Sequence, residues 1–155
     1  MISKELIIQV INKARETMRK GEGGPFGACV ITPSGDIFVA SNQVLKDKDP
    51  TAHAEICAIR KACKHLNSHD LSGCILYTTC KPCPMCMSAI IWANIKVVYY
   101  SATEKDASAI GFRDDFIYKF LRNQLSSEVI SCIQIPSEEA QKLFDEYALT
   151  KSQIY

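Results

Sequence analysis

Four residues in two short segments combine metal-binding side chains with one that can carry a proton. His53 and Glu55 are two residues apart, and Cys83 and Cys86 are three apart. Imidazole nitrogen and thiolate sulfur are ligands that zinc prefers, and cysteines three apart on a helical turn face the same side. We therefore predict one zinc ion per chain, held by His53, Cys83 and Cys86.

The number of ligands indicates what such a zinc ion would do. Three protein ligands leave one tetrahedral position open, as in catalytic sites, whereas structural zinc sites have four protein ligands. Zinc lowers the pKa of water at an open position towards neutrality, which supplies a nucleophile. Glu55 is too close along the chain to His53 to be a comfortable further ligand. We predict that Glu55 is the catalytic residue that transfers protons.

Two other kinds of metal site match part of this pattern. Cys80, Cys83 and Cys86 begin like an iron–sulfur ligand run, but the bacterial ferredoxin pattern requires a cysteine where Ile90 stands. A structural zinc site with Cys80 as its fourth ligand stays open as a non-enzymatic alternative. The remaining cysteines are more simply interpreted as small buried apolar residues: Cys29, Cys57, Cys63, Cys74 and Cys132.

The elements that must position these residues follow from the spacing of apolar side chains. Helix-type spacing over 52–66 includes His53 and Glu55, and a helix over 83–92 begins at Cys83 with Pro84 in its first turn. Ser3 can cap a first helix that ends before the glycines at 21–24. Alternating β-type runs predict strands at 26–31, 37–42, 75–79 and 95–100.

This order predicts a single α/β domain over 1–155, with three layers and a mixed sheet of about five strands between helices. The fifth strand is predicted over 129–135. Short helices are predicted within 103–121, and a terminal helix over 137–149 with Ser137 as its cap.

Composition limits the partners that we expect. The 155 residues are 47% apolar, and Lys plus Arg number 18 against 17 for Asp plus Glu, so no global charge attracts a phosphate backbone or an anionic membrane. No apolar run reaches membrane-spanning length, and the first residues lack the pattern of a secretion signal. We expect a cytoplasmic enzyme with a small-molecule substrate and without a nucleic-acid or membrane partner.

The pattern His-x-Glu followed by Pro-Cys-x-x-Cys is the signature of zinc nucleobase deaminases, in which the Glu acts as acid and base. Both parts of this pattern are present in the chain. Through them the chain resembles proteins of the cytidine-deaminase-like fold, in the branch of guanine deaminases and tRNA adenosine deaminases. Residues 109–118, Trp92 and the final Tyr155 are similar to the guanine deaminases specifically. The resemblance covers nearly the whole chain through further segments at 24–28, Asn42, 49–55, 59–63 and 82–86.

The resemblance implies hydrolysis of guanine to xanthine and ammonia in purine metabolism. It implies that Phe26 and Trp92 line the pocket or stack on the base, that Asn42 hydrogen-bonds one edge, and that Asp114 accepts from ring N–H groups. Ala54 and Tyr155 complete the implied substrate-binding residues.

The resemblance also implies that the C-terminal segment, 136–155, is a helix and tail that closes the active site. Relatives of this fold self-associate, so we expect a homodimer. Other substrates stay open, namely tRNA adenosine, guanosine or another small heterocycle. Lys81 departs from the pattern, because many relatives have Glu at this position.

Overall fold

A computed structural model of the chain describes residues 2–125, 129–150 and 154. Helices and strands alternate along most of it. They are α1 (Lys4–Arg19), β1 (Gly27–Ile31), β2 (Ile37–Ser41), α2 (Val44–Asp47), α3 (Ala54–Leu66), β3 (Ile75–Cys80), α4 (Pro84–Trp92), β4 (Val97–Ala102), α5 (Glu104–Ala109), α6 (Asp114–Leu121) and α7 (Glu138–Leu149).

The central sheet is mixed, with the strand order β2-β1-β3-β4. β1 pairs antiparallel with β2 and with β3, and Ala28 lies opposite both Ala40 and Thr78. β3 and β4 run parallel, because α4 returns the chain across the sheet between them. The C-terminal end of β3 therefore leads directly into the segment that carries Cys83.

Helices cover both faces of this sheet, which confirms the predicted three-layer α/β architecture. On one face, α1 packs Leu6 and Val10 against Cys29 and Tyr77. On the other face, α3 packs three alanines against strands β1, β2 and β3, with α4 beside it. The buried residues of this second cluster are Ala28, Val30, Ala40, Ala54, Ala58, Ala62, Leu71, Cys74, Leu76, Ile90, Ala93 and Ile95.

The small side chains on α3 explain how closely this helix approaches the sheet. Ala54, Ala58 and Ala62 recur every four residues, so they form one stripe, and all three are fully buried. Alanine allows a helix to lie close to the strands that it covers. The start of α3, where His53 and Glu55 lie, is thereby held firmly against β1 and β3.

The predicted helix starts are confirmed where a side chain caps them. The backbone N–H of Leu6 donates to Ser3 Oγ at 3.2 Å, and that of Ala140 donates to Ser137 Oγ at 3.2 Å. Pro84 is the first residue of α4, where its missing N–H costs no hydrogen bond. The described helices include none long and apolar enough to cross a membrane.

The fifth strand predicted over 129–135 is wrong, and the sheet formed by the described residues has four strands. The residues at 129–135 form neither a helix nor a strand. Ile133 and Ile135 are 81% and 85% exposed. A strand requires a neighbouring strand for its backbone hydrogen bonds, and apolar alternation alone does not supply that neighbour.

Leu76 tests the packing of the sheet against α3, because its side chain is fully buried in that cluster. We expect Leu76→Ala to lower the free energy of unfolding by about 2–5 kcal/mol, since it leaves a cavity in a packed core. Leu45→Ala, at a leucine that is 64% exposed, is the control and should change it by less than about 0.5 kcal/mol. Urea unfolding of zinc-saturated protein measures both. Equal effects of the two substitutions would contradict this packing.

Candidate active site

The candidate metal ligands lie where α3 and α4 begin. His53 and Cys83 are the N-cap residues of these helices, both with extended backbone. Their carbonyl oxygens accept from the backbone N–H groups of Cys57 at 3.0 Å and Met87 at 2.9 Å. Pro84 favours this arrangement, because a residue that precedes proline is disfavoured in the helical region. Both helix N-termini, with their partial positive charge, therefore point at the same small region.

Three ligand atoms meet in this region. Nδ1 of His53 lies 3.5 Å from Sγ of Cys83 and 3.5 Å from Sγ of Cys86. All three atoms lie within 4.8 Å of one another, a spacing that one metal ion can bridge. Two thiols and one imidazole are the donor set that suits zinc.

Cys80 lies outside this group of ligands. Its thiol donates instead to the carbonyl oxygen of Thr103 at 3.3 Å. Among the described residues, the metal-binding group contains His53, Cys83 and Cys86 alone. The structural-zinc alternative therefore lacks its fourth protein ligand, and the open coordination of a catalytic site is favoured.

The charges of the cluster fit a bound cation. A hydrogen bond from Cys86 lowers the pKa of the Cys83 thiol to about 4, and the same hydrogen bond raises the pKa of Cys86. The hydrogen bond between His53 and Cys83 raises the pKa of the imidazole. The cluster thus favours a thiolate at Cys83, and a cation with two positive charges would compensate it and displace the remaining thiol proton.

Glu55 lies beside the ligands in a dry environment. Its side chain is only 6% exposed, and burial raises its pKa. Oε1 accepts from Thr78 Oγ1 at 3.2 Å, and Oε2 accepts from the thiol of Cys86 at 3.5 Å. A buried carboxyl with a raised pKa is suited to take up and release protons near neutral pH.

Thr78 is a residue of this site that the sequence analysis missed. It lies in β3, is 1% exposed, and directs its hydroxyl to Glu55. A threonine is common in strands, so its type gave no reason to single it out. The hydrogen bond that it makes to Glu55 depends on how α3 lies across the sheet.

A small pocket of about 30 Å³ opens on Glu55 and the ligands. It brings together Phe26, Asn42 and Asp114, three of the predicted substrate-binding residues. It also includes Cys80, Lys81 and Phe112, which we did not predict as substrate contacts. The complete set of described lining residues is Phe26, Asn42, His53, Glu55, Cys80, Lys81, Cys83, Phe112 and Asp114.

Asn42 is held in a fixed orientation at the wall of the pocket. Its side chain is buried, and Oδ1 accepts from the backbone N–H groups of Gly24 and Val44, each at 3.2 Å. The oxygen is thus engaged by the protein, and the amide nitrogen, a donor, is the group left to face a ligand. Gly23 makes this possible, because a Cβ there would collide with the backbone and side-chain oxygens of Asn42.

Asp114 is the first residue of α6 and also lines this pocket. Burial raises the pKa of its carboxyl, and the negative charge of Cys83 raises it further. Phe112 precedes it on the loop from α5. The ring of Phe112 contacts that of Phe26 edge to face, with centroids 4.7 Å apart. These two rings form an apolar wall between Asn42 and Asp114.

The remaining predicted contacts lie elsewhere. Trp92 ends α4, is 62% exposed, and lines a surface groove with Ile59 and Cys63 instead of the pocket formed by the described residues. Its contact with the base stays a prediction. Ala54 is the fully buried first residue of α3 and is not among the described residues that line the pocket. Tyr155 lies outside the described residues.

The metal ligands can be tested by zinc content. We expect Cys86→Ala to weaken zinc binding by roughly 100-fold or more, because loss of a group that merely orients a ligand already costs 10–100-fold. Cys29→Ala is the matched control, since Cys29 is also fully buried but lies in β1 beneath α1. Zinc per chain is measured after dialysis against a competing chelator. Equal zinc retention by both variants would exclude Cys86 as a ligand.

Comparisons with known proteins agree with this geometry. The protein-family model described as the cytidine and deoxycytidylate deaminase zinc-binding region matches residues 1–102 of the sequence. The chain is 45% identical to the guanine deaminase of Bacillus subtilis over 131 residues, 84% of each protein. The X-ray structure of guanine deaminase from Bacillus subtilis superposes with a TM-score of 0.89 at 39% identity, covering 100% of this chain and 99% of the other.

Two further similar proteins are not named guanine deaminase in these comparisons. The tRNA-specific adenosine deaminase of Aquifex aeolicus is 35% identical over 147 residues, 94% of each protein. A structure of the protein NE0047 in complex with 8-azaguanine is 35% identical with a TM-score of 0.63, covering 67% of this chain and 60% of the other. By sequence, by fold and by its three zinc-type ligands, the chain belongs to the cytidine and deoxycytidylate deaminase zinc-binding family.

Proposed function

We propose that this protein catalyses the zinc-dependent hydrolytic deamination of guanine to xanthine and ammonia, in purine catabolism or salvage. The observation that carries the proposal is the buried carboxyl of Glu55 beside three zinc-type ligands, in a pocket that also contains Asp114 and Asn42. The relative with 45% identity is a guanine deaminase, which favours guanine over other bases.

His53, Cys83 and Cys86 would hold the zinc ion, which would supply an activated water as the nucleophile for C2 of the base. Glu55 moves the protons of the reaction. It takes one proton from the attacking water and passes it to a neighbouring ring nitrogen. It then takes the second proton, from the hydroxyl added to C2, and passes it to the amino group, which leaves as ammonia while the C2 carbonyl forms. The Thr78 hydroxyl keeps the carboxyl of Glu55 in place through its hydrogen bond to Oε1.

Complementary polar groups recognise the base. The carboxylate of Asp114 accepts hydrogen bonds from ring N–H groups, and the amide nitrogen of Asn42 donates to an acceptor on another edge. A base without matching donors would leave the carboxylate of Asp114 unpaired in a partly dry pocket, which is costly. Ala54 contributes its backbone N–H at the start of α3.

The aromatic wall holds the faces of the base. Phe26 and Phe112 offer apolar ring surfaces on which a base can stack. The pocket of about 30 Å³ is smaller than a purine base, so side chains that line it have to move when a base enters. Phe112 is 37% exposed on the loop before α6, so it is the ring that we expect to move.

Self-association and closure of the site form part of the same proposal. All described residues of α7 are exposed, including Leu143 at 65% and Phe144 at 72%. Ile91 and Trp92 on α4 are similarly exposed, and apolar surface of this kind marks an interface. We infer a homodimer, one domain per chain over 1–155, in which the segment 136–155 closes an active site.

A cytoplasmic location completes the proposal. All eight cysteines lie within the described part of the chain, and all eight are unpaired. Unpaired cysteines are typical of a reducing compartment.

Ammonia release from separate substrates tests the reaction. We expect zinc-loaded protein to release ammonia from guanine and not from guanosine, adenine, cytosine or an anticodon-loop RNA. Glu55→Gln should lower turnover by about 10²–10⁴-fold while zinc stays bound, because it removes the proton carrier and leaves the ligands. Glu16→Gln on the exposed face of α1 is the control.

Other results of this experiment point to the alternatives. Release from the RNA instead of guanine would favour a tRNA adenosine deaminase, as the Aquifex aeolicus relative is named. Wild-type turnover by zinc-loaded Glu55→Gln would exclude Glu55 as proton carrier.

The closing tail is tested by truncation. Deletion of residues 153–155 removes Tyr155, and we expect a lower kcat/KM for guanine because the pocket stays open to water. If the tail covers the N9 edge of the base, the truncated protein should also accept guanosine better, since a ribose at N9 needs that space. Steady-state kinetics with both substrates measure this. Unchanged kinetics would remove the tail from the active site.

A further inference from the structure

Tyr118 links the two halves of the candidate active site. It lies on α6 one helical turn after Asp114, so the two side chains share a face of the helix. Its hydroxyl donates to the carbonyl oxygen of Pro82 at 2.8 Å. Pro82 immediately precedes the metal ligand Cys83. One hydrogen bond thus joins the helix of the recognition residue to the loop of the metal ligand.

The ring of Tyr118 is held by cations from two sides. Lys81 Nζ lies 5.5 Å from the ring centroid, and the guanidinium carbon of Arg122 lies 5.4 Å from it. Both distances are typical of cation–π contacts. Lys81 also forms an ion pair with Glu104 at 3.2 Å, which fastens the loop to the start of α5. The phenol is therefore fixed in direction before any ligand binds.

α6 contacts α5 and α4, but with little apolar burial. None of its residues is buried, and its N-cap residue, Arg113, makes no side-chain hydrogen bond to the helix start. Apolar packing holds α1 and α3 in place, but it contributes much less to this helix. The hydrogen bond from Tyr118 to Pro82 therefore adds a specific polar link to these contacts.

We propose that Tyr118 is a positioning residue that sets the place of Asp114 relative to the metal ligands by tethering α6 to Pro82. This inference rests on the proposed role of Asp114 in binding guanine. A displacement of the carboxylate by a fraction of an ångström weakens its hydrogen bonds to the base and leaves Glu55 and the ligands untouched. The tether thus acts on substrate binding and not on proton transfer.

Tyr118→Phe isolates the tether, because it removes the hydroxyl and keeps the ring between its two cations. We expect the KM for guanine to rise about five-fold, as for loss of one neutral hydrogen bond, with kcat changed by less than about two-fold. Zinc per chain should stay at the wild-type value. Tyr100→Phe is the matched control, since Tyr100 is a half-exposed tyrosine of β4 that does not line the pocket.

Two readouts separate positioning from general stability. Binding of 8-azaguanine to zinc-loaded protein is measured in a double-mutant cycle of Tyr118→Phe and Asp114→Asn. We expect Tyr118→Phe to weaken binding only in the protein that keeps Asp114. Amide hydrogen exchange should become faster over α6 in Tyr118→Phe and stay unchanged over α3. A merely structural role would produce the same loss with and without Asp114.

The outcomes distinguish this inference from the proposed function beneath it. If Asp114→Asn has the wild-type KM for guanine and binds 8-azaguanine as the wild type does, the proposed role of Asp114 is wrong. The proposed effect of the tether is then wrong as well. If Asp114→Asn impairs binding but Tyr118→Phe does not, the tether alone is overturned. An equal effect of Tyr118→Phe in both backgrounds, or unchanged exchange over α6, also overturns it.

Discussion

The burial of several ionisable groups in one small volume is the constraint on which the rest of the structure depends. Glu55, Cys83 and Cys86 are each at most 6% exposed and lie around His53. Buried negative charge is costly unless a cation or hydrogen bonds compensate it. A zinc ion supplies that compensation, and two helix N-termini add partial positive charge. The site is therefore stable and reactive for the same reason, since charges that water would screen are kept dry.

The scaffold meets this constraint with its most rigid parts. α3 lies close to the sheet through three buried alanines, and β3 leads straight into the segment before Cys83. Strand β3 also contains Thr78, whose hydroxyl donates a hydrogen bond to the carboxyl of Glu55 and holds it in place. Ligands and proton carrier are thus placed by regular elements with buried contacts, which is where catalytic geometry can be held within a fraction of an ångström.

The groups that we assign to recognition of the base lie on a different kind of structure. Asp114 and Phe112 belong to the α5–α6 region, whose side chains are mostly exposed. The contact of Phe112 with Phe26 and the hydrogen bond from Tyr118 to Pro82 attach this region to the scaffold. Exposed segments on a rigid scaffold tolerate sequence change, so this region can vary while the metal ligands stay in place.

The sequence by itself predicted the candidate ligands, Glu55 and most elements, because these predictions depend on local spacing. Residues three apart share a helix face, and Ser3 or Pro84 marks a helix start. Tertiary structure decided what depends on distant partners. Residues 129–135 have no neighbouring strand in the described structure and therefore form no strand. Trp92 lies in a surface groove away from the pocket of its own chain, and Phe112 contacts Phe26. Tertiary structure also joined Tyr118 to Pro82 across 36 residues, a contact that no local pattern encodes because it exists only after α6 has folded back onto the metal loop.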